Sequence, residues 1–473
     1  MVFSSAVFLF AFLPIVLLLY FLPVFFWNET WESGRKNLVL CVASLLFYAW
    51  GEPVYVVLML LSIAFNYLIG LDIGRHMDAP NKKRAILAAA VVFDLLILGF
   101  FKYSNFLIDN LNGMFSLDIA PLHLSLPVGI SFYTFQILSY IVDVYRGTVK
   151  PQKNLVSFAM YVTMFPQLIA GPIVQYSDIE KRLGTREITP SQFFDGVTVF
   201  IRGLGKKVLF ANTIGRFYTE IVADGIGQAS AVTAWLGIAC YTMQIYFDFG
   251  GYSDMAIGLG RMFGFEFLRN FHFPYIATSI KDFWSRWHIS LSGWFRDYVY
   301  IPLGGSRRGT FRTILNLAIV WCLTGLWHGA AWNFVAWGAF YGILLIGEKF
   351  VWADLLPKIP TWIRHITTMV IVMVGWVFFS SESMGDAICY LRAMCCLNGN
   401  TFWNAASAYY LSGCAFPLAL MSLSAFGVYD RIPKLKNDTL RVMGSGVFYA
   451  AVFVLCVICL VSSTYNPFLY FRF

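Results

Sequence analysis

Between Arg312 and Glu348 the chain has no Asp, Glu, Lys or Arg, and in the middle of that run, in the stretch TGLWHGAAWN, stands a histidine, His328. A stretch of roughly 20 apolar residues is enough to cross a bilayer core as a helix. His328 is therefore expected inside a membrane. Residues Met1 to Asn28 likewise carry no charged side chain. They lack the basic start, short apolar centre and small-residue cleavage site of a signal peptide, so they read as a retained span. The whole chain is 59% hydrophobic and 13% charged, too apolar for the water-facing surface of a soluble domain.

Further candidate spans lie near Leu38 to Trp50, Val54 to Leu71, Arg84 to Tyr103, Pro127 to Tyr145, Val156 to Val174 and Phe193 to Phe210. Others lie near Ala231 to Phe249, Thr313 to Trp327, Ala331 to Ile346, Ile363 to Phe379, Leu411 to Tyr429 and Gly444 to Ser462. Several are short, so partial or re-entrant helices are expected, and about 10 to 12 true crossings. The fold class is all-α: a polytopic integral membrane protein forming one domain over residues 1–473. The formal charge of +8 fits basic residues gathered in cytoplasmic loops rather than a nucleic-acid surface. The basic clusters are Arg35 and Lys36; Arg75, Lys82, Lys83 and Arg84; Arg146, Lys150 and Lys153; and Arg431, Lys434, Lys436 and Arg441. The cysteines are mostly scattered in apolar stretches, and neither a disulfide framework nor a thiolate metal site is expected.

One segment does not fit a simple bundle. From Phe267 to Arg312 seven basic residues stand against Asp282 and Asp297, too many charges to span. Phe283, Trp287, Leu291, Trp294 and Tyr298 recur at steps of three and four, which predicts one amphipathic helix at the cytoplasmic interface. Such a helix would be a tryptophan and arginine anchor among lipid headgroups, or the mouth for an anionic, phosphate-bearing substrate.

His288 lies on this segment, forty residues before His328. A membrane histidine can be a helix-packing hydrogen bonder, or a metal or haem ligand. No carboxylate or cysteine at helical spacing, CxxCH or HxxxH supports the metal alternative, and no bound cofactor is expected. Ionisable groups inside a membrane default to function because burying them is costly. A ring withdrawn from water stays neutral and able to take a proton, as a general base must. A neutral imidazole beside a reactive acyl group suits acyl transfer to an alcohol.

The motifs FWSRWHISLSGWFRDYVYIPLGG and LWHGAAWNFVAWG resemble the signature of the membrane-bound O-acyltransferases, in the branch that acetylates extracellular polysaccharide. PVGISFYTFQILSYIVDVYRG, FPQLIAGPIVQY and YFDFGGYSDMAIGLGRMFGF resemble further family segments in the same order. The resemblance implies a helical bundle around a central tunnel. It also implies a cytoplasmic acetyl-coenzyme A donor, a bacterial inner-membrane location, and an exported acetyltransferase partner that completes transfer to alginate, cellulose or peptidoglycan. His328 would be catalytic with His288 as its partner. Trp284, Arg286, Trp287, Trp294 and Arg296 would shape the donor mouth, with Trp327 and Asn333 beside the histidine. Where relatives often carry a further histidine, this chain has Tyr341, which is no base near neutrality.

FLYFRF resembles a closing aromatic motif of polysaccharide-acylating relatives and of a small partner in teichoic-acid D-alanylation; Tyr470 is its candidate acyl carrier, and an interface anchor with Arg472 is the plainer alternative. Asp248 and Asp254, beside Gly250 and Gly251, would be helix-end caps or tunnel-lining acceptors. D-alanyl transfer toward teichoic acid is the alternative within the enzyme class. A transporter or flippase is the rival outside it, but no inverted repeat supports that.

Overall fold

The recurrence of apolar residues every three to four positions folds into helices, and among the described residues there is no strand. The structure is a computed structural model and describes residues 1–22, 29–169, 171–428, 438–463, 465–467 and 469. The basic residues Arg431, Lys434 and Lys436 lie outside the described residues. So do Tyr470 and Arg472.

In chain order the first helices are α1 (Leu13–Phe21), α2 (Glu29–Ala49), α3 (Tyr55–Arg75), α4 (Pro80–Phe115), α5 (Ile130–Arg146) and α6 (Leu155–Thr163). There follow α7 (Phe165–Leu168), α8 (Tyr176–Gly184), α9 (Pro190–Gly205), α10 (Asn212–Ala223), α11 (Ala231–Met262), α12 (Ile280–Arg286) and α13 (Ile289–Phe295). The last are α14 (Thr310–His328), α15 (Trp332–Phe350), α16 (Thr361–Ser380), α17 (Met384–Met394), α18 (Ala405–Ala425) and α19 (Asp438–Ser462). Among the described residues six helices are long and apolar enough to cross a membrane: α3, α4, α14, α16, α18 and, over Val442–Ser462, α19. The protein is a multi-pass membrane protein. Some expected spans have another role. The stretch Pro127 to Tyr145 holds α5, which is buried along nearly its whole length, so its apolar character on every side serves protein packing.

The chain forms two compact units. The first comprises Met1–Phe200 and Ser253–Leu268. Its aromatic nest includes Phe8 against Phe3, with ring centres 4.9 Å apart, and Phe47 against Phe165 at 5.5 Å. Polar side chains lock the helices: Asn37 donates to the Ser157 hydroxyl at 3.1 Å and the Leu183 carbonyl at 3.0 Å, and Asn66 donates to buried Asp94 at 2.8 Å. Away from water such groups are costly unless paired, so they specify which helices meet.

The second unit comprises Ile201–Tyr252 and Arg269–Phe473. Its central pair is α14 and α15, which touch through glycine. A Cβ on Gly338 would lie 2.4 Å from the Trp321 carbonyl oxygen, and one on Gly325 would lie 2.4 Å from the Phe334 carbonyl oxygen. Small residues let helix backbones approach this closely in a membrane. Asn333, fully buried at the start of α15, donates to the carbonyls of Phe378 and Ser381 at 3.2 and 2.8 Å, tying α15 to the end of α16.

Gly338→Ala forces these backbones apart and should destabilise the protein by about 1–3 kcal/mol, whereas Gly99→Ala, with nothing within 4 Å of its Cβ, should not. Thermal unfolding of both variants in one detergent checks this contrast.

Candidate active site

The segment read as one amphipathic helix is two short helices. α12 ends at Arg286 and α13 begins at Ile289, and between them His288 adopts the left-handed conformation with φ 45° and ψ 52°. For a side-chain-bearing residue this costs roughly 1–3 kcal/mol and persists only where surroundings enforce it. Two supports do so. Glu348, the acid that closes the uncharged run, accepts from the backbone N–H of Ile280 at 2.8 Å and of Lys281 at 3.2 Å. Ser279 accepts from Asp282 N–H at 3.1 Å, so the exposed donors of the first turn of α12 are met. At the other end the Asn270 carbonyl accepts from Ile289 N–H at 3.0 Å, and its side-chain oxygen accepts from the N–H and hydroxyl of Ser290 at 3.2 and 3.0 Å. Asn270 is fully buried. A polar residue among aromatics in FLRNFHF was the available signal for it.

This bend brings the two expected histidines together. His328 is the last residue of α14, and its ring centre lies 6.5 Å from that of His288. Both residues are buried. His288 packs edge-on to Phe249 at 4.8 Å and to Trp327 at 6.0 Å. His328 packs edge-on to Trp327, Trp337 and Phe379 at 4.9, 5.0 and 5.1 Å. Gly329 is required beside it, because a Cβ there would lie 2.2 Å from the Phe334 ring. Burial pushes the His288 imidazole down to about 3, since the low-dielectric surroundings disfavour its charged form. His288 is therefore neutral at physiological pH.

The expected tryptophans divide. Trp284 packs on Trp321 at 4.7 Å and on Tyr341 at 4.9 Å, and Trp287 packs on Trp376 at 4.8 Å, so both are walls of the enclosure. Trp294 stacks toward Tyr298 at 5.3 Å. The indole N–H groups of Trp284 and Trp337 and the Tyr341 hydroxyl are buried without a hydrogen-bond partner among the described residues. They are donors not consumed by the fold. Tyr341 contributes a wall: a Cβ on Gly375 would lie 2.3 Å from its hydroxyl.

The two arginines are engaged locally. Arg286 donates to Asp282 at 2.7 Å, and Arg296 forms a two-pronged pair with Asp297 at 2.7 and 3.0 Å. Asn333 holds helix ends, as described above. Asp248 is no helix-end cap, because it lies inside α11, where its carboxylate meets Lys207 at 2.7 Å. Asp254 falls in the first unit. Cys456 and Cys459 stand at CxxC spacing within α19, but no group of three or more His, Cys, Asp or Glu among the described residues could hold a metal ion.

Two neutral-capable imidazoles in a dry aromatic enclosure, with spare donors in its walls, can move a proton and orient a carbonyl. Comparison with known proteins identifies the family. Residues 151–385 match MBOAT, the membrane-bound O-acyltransferase family. A Pseudomonas putida protein named "Probable alginate O-acetylase AlgI" is 41% identical over 503 residues, covering 100% of both chains. A Pseudomonas aeruginosa protein of the same name is 45% identical over 400 residues, 83% of this chain and 75% of its own. The "Peptidoglycan O-acetyltransferase" of Helicobacter pylori is 35% identical over 443 residues, 84% of this chain and 80% of its own. The chain is an acyltransferase and belongs to the membrane-bound O-acyltransferase family.

Proposed function

We propose that the protein takes acetyl from cytoplasmic acetyl-coenzyme A and delivers it across the bacterial inner membrane for O-acetylation of an extracellular polysaccharide. The observation that carries this reading is the buried pair of imidazoles with ring centres 6.5 Å apart. Rings this close can each bring a nitrogen within hydrogen-bond reach of one reacting group between them. The names of the relatives, for alginate and for peptidoglycan, support a polysaccharide acceptor.

In the proposed step His328 removes the proton of the acceptor hydroxyl as its oxygen bonds to the acetyl carbon. The carbon–sulfur bond breaks, and His328 returns the proton to the departing coenzyme thiolate, so the imidazole ends as it began. His288 donates a hydrogen bond to the thioester carbonyl, where negative charge develops. The spare N–H and hydroxyl donors of Trp284, Trp337 and Tyr341 line the donor's approach. The acceptor hydroxyl of this step is that of Tyr470, whose phenol oxygen holds the acetyl until a glycan hydroxyl, presented at the outer face with an exported partner protein, attacks the acetyl carbon; the acetyl–phenol bond breaks and the glycan hydroxyl's proton restores the phenol.

His328→Ala should reduce consumption of labelled acetyl-coenzyme A at least about 100-fold while the protein still inserts and folds; undiminished transfer would refute the base. Because the folded value of His288 lies far below its ordinary one, the neutral ring persists down to about 3. His288→Gln should therefore lower the rate by one constant factor between about pH 5 and 8, and a factor that bends near neutrality would contradict this state. Asn270→Ala, which loosens the start of α13, should lower kcat about 10- to 100-fold, measured in the same assay on folded protein.

A further inference from the structure

One buried ion pair lies outside the histidine enclosure. Lys207 Nζ stands 2.7 Å from Asp248 Oδ1, and the two side chains are 4% and 3% exposed. Glycine brings them together: a Cβ on Gly251, one turn from Asp248, would lie 2.8 Å from the Gly203 carbonyl oxygen and 3.0 Å from Lys207 N. Lys207 itself sits on a π-helical turn, Lys206–Ala211, an element frequent at functional sites. Taking two charges out of water is compensated only when further hydrogen bonds satisfy their remaining protons and lone pairs.

Here those bonds come from the main chain of a distant segment. Lys207 Nζ donates to the Pro467 carbonyl, and Asp248 Oδ2 accepts from Leu469 N–H at 2.9 Å. Side chains around the pair set the register. Asn212 donates to Asn466 Oδ1 at 3.2 Å, Arg216 donates to Ser463 and covers the Tyr465 ring at 5.5 Å, and Thr219 meets the Tyr465 hydroxyl at 3.2 Å. The main-chain groups of Pro467 and Leu469 are thus pinned immediately before Tyr470 in sequence.

We propose that the Lys207–Asp248 pair, with Asn212 and Arg216, is a binding seat for Ser463, Tyr465, Asn466, Pro467 and Leu469 of this chain, and that it positions the residue after Leu469 for acyl transfer. The role rests on the reading of Tyr470 as acyl carrier; the seat itself does not. A carrier hydroxyl on a free tail would sample many positions, whereas anchoring the backbone one residue away removes most of that freedom before reaction. Lys207 and Asp248 are positioning residues.

The test uses the full chain in detergent. Lys207→Met/Asp248→Leu removes both charges together, which leaves no orphaned buried ion. Hydrogen exchange read by mass spectrometry should show the amides of Tyr465, Asn466 and Leu469 exchanging at least about tenfold faster, with α14 and α15 unchanged. Asn212→Ala, which keeps the ion pair, should accelerate the amides of 465 and 466 and guards against misfolding of the double variant. Unchanged exchange at Tyr465, Asn466 and Leu469 in both variants would overturn the seat. Acetyl transfer to the acceptor should fall at least about tenfold in the double variant; faster exchange with undiminished transfer would overturn the positioning role. A wild-type chain that leaves acetyl-coenzyme A untouched would overturn the acetyltransferase reading instead, and the exchange experiment would still decide the seat.

Discussion

The structure depends on keeping charge away from two histidines in the second unit. His288 and His328 are enclosed by Phe249, Trp327, Trp337 and Phe379, and around His288 such burial favours the uncharged ring because a cation there would lose its hydration. The enclosure needs close helices, and glycine supplies them at Gly325, Gly329 and Gly338, where any side chain would collide with a neighbouring carbonyl or ring. Without those approaches the tryptophan walls would stand apart and water would enter.

The polar residues follow from the same constraint. In an apolar surrounding a helix end cannot leave its N–H and C=O groups bare. Glu348, Asn270 and Asn333 each sit at such an end and satisfy it. Their bonds fix α12, α13 and α15, which flank or wall the two histidines. The left-handed backbone at His288 is the cost of turning the chain between α12 and α13 so that its ring faces that of His328. The Lys207–Asp248 pair applies the same logic to an ion pair: it is satisfied by backbone groups of a segment far along the chain.

Much of this was legible in the residues. The uncharged run flagged His328, the composition required a membrane, and long ordered motifs pointed to the family. The break at His288 was not legible, because two short helices in tandem keep the spacing of three and four that a single helix shows, and neither glycine nor asparagine marks the left-handed position. Hydropathy could not separate a lipid-facing helix from one apolar because it is buried among its neighbours, as α5 is. Gly250 and Gly251 beside Asp248 suggested a helix end, yet they lie within α11, and Gly251 serves close approach there. Asn270 and Glu348 act through contacts twenty and almost seventy residues away in sequence. No local pattern records such partners.

The most direct measurement of the central claim is a cryo-electron-microscopy structure of the protein bound to a non-hydrolysable thioether analogue of acetyl-coenzyme A. The account predicts density for the acyl carbon between the rings of His288 and His328, within hydrogen-bond reach of both. An analogue bound with its acyl end away from these rings, while the two imidazoles stay closed against their aromatic walls, would contradict it.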